Sequence, residues 1–333
     1  VYPDGVVIRP EDWDEVSDFA RLLRFVEVTL GGESWRFRGR FGSLDGESIG
    51  HGTVVAGYYN NIDRDHYQAG LALSTAIKWG GFEFMLDNLL DPEIFSMRVH
   101  TRPTSFFTDN SWANRLVVGM SFTSDTSAPA GLETADDPDP AAAPTARVLV
   151  LDEDNNIAVA DSDVLGVLGV DAEYTILSNK WIDLVPYMDL NFMFSGETGV
   201  GFHLGTFFNL KIPWSIGPKL MTRLEYRAMS SSYAPRYIDS TYETQRVQYT
   251  PGDLATGQAP LTKLGWLRSG AGGNHSWLGE LYFDFAGWVR VGGTYEDYSG
   301  PDNAALTLSL LLPKFPVVQL GAFYTKRGFD GFD

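Results

Sequence analysis

The sequence contains no cysteine, few basic residues and no long hydrophobic run. Without cysteine there is no disulfide framework, no thiolate nucleophile and no cysteine zinc site. The 25 Lys and Arg against 43 Asp and Glu give a net charge of −18, which argues against a nucleic-acid partner because phosphates require a basic surface. Apolar stretches such as 164–170 fall short of the roughly 18 to 20 residues of a membrane helix, which excludes a helical membrane protein.

What the chain does contain is a strong alternation of apolar and polar residues. Its 333 residues are 44% apolar and 14% aromatic, which rules out general disorder. In 202–212, for example, Phe202, Leu204 and Phe208 lie on one face, and His203 and Asn209 lie on the other. This period of two predicts β-strands with one apolar and one polar face.

The predicted strands are long, and aromatic residues stand at their ends. Segments 67–79 and 202–212 alternate over about 9 to 13 residues, whereas strands of globular sheets are commonly about 5 to 6 residues long. Rings such as Trp79, Trp181 and Trp277 match the interfacial girdles of outer-membrane barrels. We therefore predict an all-β fold, a transmembrane antiparallel up-and-down β-barrel of about 14 to 18 strands. The alternative is a soluble β protein whose apolar face forms its core.

About fourteen strands are visible, several of them joined by tight turns such as Gly80-Gly81. No terminal amphipathic strand with a final aromatic residue follows the last one, so we expect the chain to be truncated before further closing strands. The predicted strands are 19–29, 34–44, 67–79, 82–88, 95–102, 116–123, 164–177, 182–195, 201–212, 219–229, 278–285, 288–298, 305–312 and 316–326.

The acidity is concentrated outside the predicted strands. Segments 1–20, 125–146 and 152–163 together hold sixteen acids against one base, a net charge of −15, and the remainder holds 27 acids against 24 bases, a net charge of −3. We predict an acidic N-terminal arm at 1–18 before the barrel at 19–333, and a mobile acidic loop at 124–146. The connection 230–276 contains four tyrosines and a tryptophan, so we expect a packed loop that enters or caps the barrel mouth.

The polar strand faces carry both signs of charge, and in a barrel they would face the interior, because Arg or Lys facing lipid at mid-depth costs about 2 to 4 kcal/mol. Such charges could line a pore, or they could pair with one another inside a plugged lumen. The pore-lining candidates are Arg36, Arg38, Arg40, Arg98, Arg102, Arg115, Asp189, Asn191, Lys211, Arg223, Glu225, Arg227, Glu280, Asp284 and Arg290, and the loop-constriction candidates are Tyr233, Arg236, Tyr237, Tyr242 and Arg246.

The sequence carries no recognisable catalytic pattern: His-Glu-x-x-His, Gly-x-Ser-x-Gly and a phosphate-binding glycine loop are all absent. The oxygen-rich segment 152–163 resembles a calcium loop but has Ile157 at its sixth position, where the motif requires glycine. We predict no enzyme activity, no cofactor and no metal site.

Two segments resemble a known family. Residues 50–61 (GHGTVVAGYYNN) are similar to the early strands of uncharacterised large outer-membrane β-barrels of Gram-negative bacteria, and residues 233–246 (YAPRYIDSTYETQR) are similar to a tyrosine-rich loop of those barrels. With Arg98 and Arg102-Pro103, the resemblance spans most of the chain. The family includes porin-like proteins and barrels of polysaccharide-export systems, and the resemblance implies placement in the bacterial outer membrane.

The function predicted from these features is a passive pore or conduit for polar solutes or glycans, embedded in the outer-membrane bilayer with its lipopolysaccharide. The alternative is a plugged barrel that anchors an envelope-spanning assembly through envelope protein partners. A soluble β-rich glycan-binding protein is a third hypothesis. No nucleic-acid partner is expected.

Overall fold

A computed structural model describes residues 24–32, 34–62, 67–108, 110–139, 141–152, 156–212, 217–247, 252–270, 272–312 and 320–330. The predicted arm at 1–18 lies outside these residues. The described chain is mostly β, with the strands β1 (Phe25–Gly31), β2 (Trp35–Gly42), β3 (Asp45–Glu47), β4 (Val55–Ala56), β5 (Tyr58–Tyr59), β6 (Gly70–Ile77), β7 (Gly80–Leu86), β8 (Ile94–Thr101), β9 (Leu116–Leu132), β10 (Thr134–Asp136), β11 (Arg147–Leu149), β12 (Val159–Tyr174), β13 (Leu177–Ser178), β14 (Ile182–Phe194), β15 (Thr198–Lys211), β16 (Pro218–Met229), β17 (Ile238–Asp239), β18 (His275–Phe285), β19 (Val289–Tyr298), β20 (Ala304–Leu312) and β21 (Leu320–Phe329).

One large antiparallel sheet contains most of these strands. It runs up and down in chain order as β1-β2-β6-β7-β8-β9-β12-β14-β15-β16-β18-β19-β20-β21, and the short β13 pairs with β14. The prediction of a large up-and-down antiparallel sheet is confirmed, because each of the fourteen predicted segments overlaps one strand of this path. Within the described ranges no ladder joins β1 to β21, and no closed barrel is detected there.

The two ends of the sheet differ in their connections. At one end, here called the turn end, the chain passes from β1 to β2, β6 to β7, β8 to β9, β12 to β14, β15 to β16 and β18 to β19. At the other, the loop end, the long connections lead from β2 to β6, from β9 to β12 and from β16 to β18. Two of these long connections fold back over the polar face of the sheet. We call residues 43–62 the first covering loop and residues 230–247, 252–270 and 272–274 the second covering loop.

Residues 124–132 differ from the sequence prediction, which places them in a mobile loop. They continue β9 and pair with the first part of β12, with register shifts near Asp161 and Asp163. Ala128 and Leu132 are buried, and Ala128 belongs to an apolar cluster that includes Leu264 of the second covering loop. The regular alternation of apolar and polar residues is lost in 124–132 because the side chains there pack against the second covering loop.

The second covering loop contains short helices. These are α1 (Tyr242–Gln245), a 3₁₀ turn at Leu254–Thr256, and α2 (Lys263–Arg268), while two further 3₁₀ turns, Pro103–Phe106 and Ala113–Arg115, lie at the turn end. Thr262 begins α2 as its N-cap, since its hydroxyl accepts a hydrogen bond from the Gly265 amide at 2.9 Å. None of the described helices is long and apolar enough to cross a membrane.

Candidate functional site

The two faces of the large sheet have opposite chemistry, and the charged face is the buried one. On β16, Leu224 is 64% exposed, whereas the adjacent Glu225 is 1% exposed. Arg227 is fully buried, and Met120 on β9 is 62% exposed. A water-soluble sheet buries its apolar side and exposes its charges. This sheet does the reverse, and we take the polar face with the two covering loops as the candidate site.

Glu225 lies at the centre of the polar face and accepts four hydrogen bonds. Arg227 Nε donates at 2.5 Å, Arg223 Nη2 at 2.6 Å, and the Tyr187 hydroxyl donates as well. His203 Nδ1 lies 3.0 Å from the same carboxylate. Because the desolvation of a buried charge is costly, such a group requires several partners. Glu225 therefore holds three strands, β14, β15 and β16, in one charged network.

Two glycines on β15 allow this network to form. A Cβ at Gly205 would lie 2.4 Å from the Tyr187 ring, and a Cβ at Gly201 would lie 2.2 Å from the Tyr233 ring. The side chain of Tyr187 crosses β15 at Gly205 and reaches Glu225 on β16. Gly201 and Gly205 therefore allow the two aromatic rings to approach the backbone closely. Any larger residue at either position would displace the ring.

Two carboxylates oppose each other across β12 and β14, and each is neutralised from a different direction. Asp171 and Asp189 are register partners, an arrangement that is destabilising when both are charged and unpaired. Arg98 of β8 donates to both oxygens of Asp171, at 2.9 and 2.6 Å. His51 of the first covering loop contacts Asp189 through Nδ1 at 2.7 Å. Arg98 of the sheet thus supplies the cation beside Asp171, and His51 of the first covering loop supplies the cation beside Asp189.

His51 fastens the first covering loop to the polar face. Its Nε2 lies 3.1 Å from Glu173, and its ring stacks on Tyr187 at 4.3 Å between centroids. Burial alone would lower the pKa of His51, but the hydrogen bonds and charges of Asp189 and Glu173 raise it to about 9. The imidazole is therefore a cation at neutral pH. The Gly50 amide adds a further contact by donating to Glu83 at 2.7 Å.

The second covering loop is fastened by Arg236 and Tyr233. Arg236 Nη1 lies 3.1 Å from Glu280 and 2.9 Å from Glu296, so one guanidinium bridges β18 and β19. Its backbone has φ of +51°, an unfavourable conformation for a residue with a Cβ. The Tyr233 hydroxyl lies 2.8 Å from His203 Nε2 and accepts from Asn191 Nδ2 at 3.2 Å.

The two covering loops are also joined to each other. β4 and β17 form a short parallel ladder, with Val55 opposite Ile238. The Tyr58 hydroxyl donates to Glu243 at 2.5 Å. At the loop end, Tyr242 donates to Asp125 at 2.5 Å, and Arg246 pairs with Asp125 and Glu93. The loops therefore form one unit that covers the polar face.

The nearest arrangement to a metal site among the described residues is His51 with Asp171 and Asp189, whose ligand atoms lie within 4.8 Å of one another. Both oxygens of Asp171 already accept hydrogen bonds from Arg98, and both ring nitrogens of His51 contact carboxylates. The cations of the protein itself occupy the positions that a metal ion would take.

The structure divides the predicted site residues into two groups. The first group gathers on or over the polar face: Arg38, Arg40, Arg98, Asp189, Asn191, Arg223, Glu225, Arg227, Glu280, Tyr233, Arg236, Tyr237, Tyr242 and Arg246. The second group lies apart from it at the turn end: Arg36, Arg102, Arg115, Lys211, Asp284 and Arg290.

Several central residues are missing from the predicted set, among them His51, Tyr187 and His203. The alternation places Tyr187 and His203 on the same strand faces as Asp189 and Lys211, so strand parity could have identified them. No comparable signal exists for His51, which lies in a loop and meets Asp189 across 138 residues.

No family model matches the chain, and no curated protein or solved structure is significantly similar to it. The resemblance to outer-membrane barrels therefore remains a sequence prediction. The site has to be interpreted from its own geometry.

Proposed function

We propose that this protein is a β-barrel of the bacterial outer membrane that acts as a gated conduit for polar solutes or glycans. The observation that carries the proposal is the reversed polarity of the sheet, with exposed apolar and buried charged side chains. A bilayer is the environment in which an outward apolar band of this kind is stable. Barrel closure would pair the two open edges of the sheet, since an edge strand in the bilayer would leave backbone groups without partners.

The aromatic residues support the same proposal. Trp35, Trp79, Trp112, Trp181 and Trp288 all lie at the turn end and are each between 46% and 60% exposed. Trp and Tyr are enriched at the height of lipid head groups, where the ring is apolar and its polar group reaches water. The turn end would then lie at one membrane surface, and the long connections would lie at the other.

Transport in this proposal involves no covalent chemistry. The covering loops occupy the polar face in the described conformation, which corresponds to a closed conduit. Opening would require Arg236 to leave Glu280 and Glu296, and His51 to leave Asp189. The vacated face would present Arg and Glu side chains of both signs, which suits polar solutes better than ions of a single charge.

Planar-bilayer recording tests this proposal. The purified protein should insert and show infrequent stepwise conductance, and Arg236→Ala should increase the open fraction by releasing the second covering loop. Arg290→Ala, which breaks an ion pair at the turn end instead, is the matched control and should behave like the parent protein. Flat traces from folded parent and Arg236→Ala proteins would exclude the conduit. Failure to partition into detergent would exclude the membrane placement.

A second candidate is an anchor for an envelope-spanning assembly. The observation favouring it is the dense fastening of both covering loops, which leaves the polar face filled. Affinity capture from membranes distinguishes the two functions. An anchor should recover stoichiometric envelope proteins and show no conductance with or without Arg236, whereas a conduit should be recovered alone.

A further inference from the structure

The polar face contains a cavity that the covering loops leave unfilled. It has a volume of about 410 Å³, and it is lined by the first covering loop and by strands β1, β2, β6, β7 and β8. Ligand pockets of proteins commonly measure about 300–1,000 Å³. Arg36 and Ala76 line both this cavity and a cleft of about 470 Å³ at the turn end. The cleft therefore provides an approach to the cavity from the turn end.

Small side chains on β6 create the space. Ser74 and Ala76 are the register partners of Arg38 and Arg36 on β2. On its other side, Ser74 is the register partner of Glu83 on β7. A large side chain at position 74 would fill the space between the arginine and the carboxylate. Strand β6 therefore leaves room between the long charged side chains of its two neighbours.

The two carboxylates that line the cavity are each paired with an arginine. Arg38 donates to both oxygens of Glu47, at 2.9 and 2.7 Å. Glu83 accepts from Arg98 at 2.8 Å and from the Gly50 amide at 2.7 Å. A carboxylate has about four lone-pair positions, so both groups can still accept hydrogen bonds. A charged ligand would bring an unbalanced charge among these pairs, and burying such a charge is costly.

Three polar groups that line the cavity have no hydrogen-bond partner among the described residues: the Arg36 guanidinium, the Ser74 hydroxyl and His100 Nε2. Arg98 Nη1 lies 3.3 Å from His100 Nδ1. Because a guanidinium only donates, Nδ1 is the acceptor, and the ring carries its hydrogen on Nε2. Arg36 is exposed, so water screens its charge. The cavity thus offers donors, acceptors and a hydroxyl that can do both.

From this arrangement we propose that the cavity binds a neutral saccharide. A sugar hydroxyl can donate to Glu47 or Glu83 and can accept from Arg36, His100 or Ser74, and it brings no charge into the site. An anionic solute would meet the two carboxylates, and a cationic solute would meet the arginines. The inference rests on the proposed function, since it names the class of polar solute that the conduit would carry.

The experiment is a calorimetric titration of the full chain with glucose, in a polyoxyethylene detergent that has no sugar head group. Glucose should bind saturably. Glucuronate, which is the same ring with a carboxylate, should bind at least tenfold more weakly. Equal or tighter binding of glucuronate would show that Arg36 selects an anion, and it would overturn the neutral class of ligand.

Variants of Ser74 test the location of the site. Ser74→Leu fills the cavity and should weaken glucose binding at least tenfold, whereas Ser74→Ala removes one hydroxyl and should weaken it severalfold. The matched control is Ser309→Leu on β20, outside the lining of the cavity, which should change the affinity less than twofold. Circular dichroism checks the fold of each variant. If Ser74→Leu does not fold, Ser74→Ala decides alone, and an unchanged affinity would overturn the site.

Failure of this inference is distinguishable from failure of the conduit. Stepwise conductance in planar bilayers without saturable glucose binding would overturn the saccharide site alone. Saturable binding together with silent bilayers would support the site and exclude the conduit. Equal losses of affinity in Ser74→Leu and Ser309→Leu would overturn the assignment to this cavity.

Discussion

The centre of the polar face and the turn end contain the same charged residue types in opposite circumstances. At the centre, Glu225 and Arg227 are excluded from water, and each has several charged partners. At the turn end, the side chain of Arg290 is 42% exposed and has one carboxylate partner, Asp284. The comparison teaches that burial determines the role of a charge here. Buried charges hold strands and loops together, whereas an exposed charge such as that of Arg290 joins only one neighbour.

The largest expected effect is the loss of one member of the central network. Glu225→Ala leaves Arg223 and Arg227 buried without their shared acceptor, and removing one partner of a buried pair typically costs about 3–5 kcal/mol. Denaturant unfolding in detergent measures the change in the free energy of unfolding. A change below about 1 kcal/mol would contradict the structural role of the network.

A pH titration sharpens the comparison at His51. Its pKa of about 9 lies above the ordinary 6.5, so its stabilising contribution is complete below pH 6.5 and is lost as the pH rises through 9. The shift corresponds to about 3 kcal/mol. The free energy of unfolding of the parent protein should therefore fall over this range relative to His51→Gln.

Lys263 titrates in the same range and is unchanged in both proteins of that experiment. Burial lowers the pKa of Lys263 to about 8, so its contribution to stability rises from about pH 8 to its ordinary pKa of 10.5. Only the difference between the parent and His51→Gln isolates the histidine. A difference that is independent of pH would contradict the charged state of His51.

A smaller effect is expected at Arg236, where two variants distinguish the contribution of its ion pairs from that of its backbone conformation. Both Arg236→Ala and Arg236→Gly remove the ion pairs with Glu280 and Glu296, but only glycine relieves the positive φ of this position. We expect the glycine variant to be more stable than the alanine variant by about 1 kcal/mol, because an L residue in the left-handed region costs about 1–2 kcal/mol. Equal free energies of unfolding would show that the conformation carries no strain.

The smallest effect is expected at the turn end. Arg290→Ala breaks an exposed ion pair, and such pairs contribute between about 0 and 1 kcal/mol. Its free energy of unfolding should therefore remain within about 1 kcal/mol of that of the parent. A loss as large as that of Glu225→Ala would remove the contrast between the two regions.

The sheet could be predicted from the sequence because each of its strands pairs with the next one along the chain and carries its own alternation of apolar and polar residues. Residues 202–212 illustrate this, since the structure buries His203 of their polar face and exposes Phe202 and Leu204 of their apolar face. The covering of that face could not be predicted in detail. The contact of His51 with Asp189 joins a loop to a strand across 138 residues, and no local pattern encodes it. The extension of β9 was also missed, because Ala128 packs against the second covering loop and not in a regular apolar series.

The joined covering loops have a consequence for the order of folding. Most strands of the large sheet meet their neighbours after short connections, whereas Tyr58 and Glu243 are 185 positions apart, and eight strands of the sheet lie between β2 and β18. Closing so long a segment is entropically costly until the intervening strands are in place. Assembly of the sheet should therefore precede docking of the loops, and the newly made protein passes through a stage in which its charged face is still open to water.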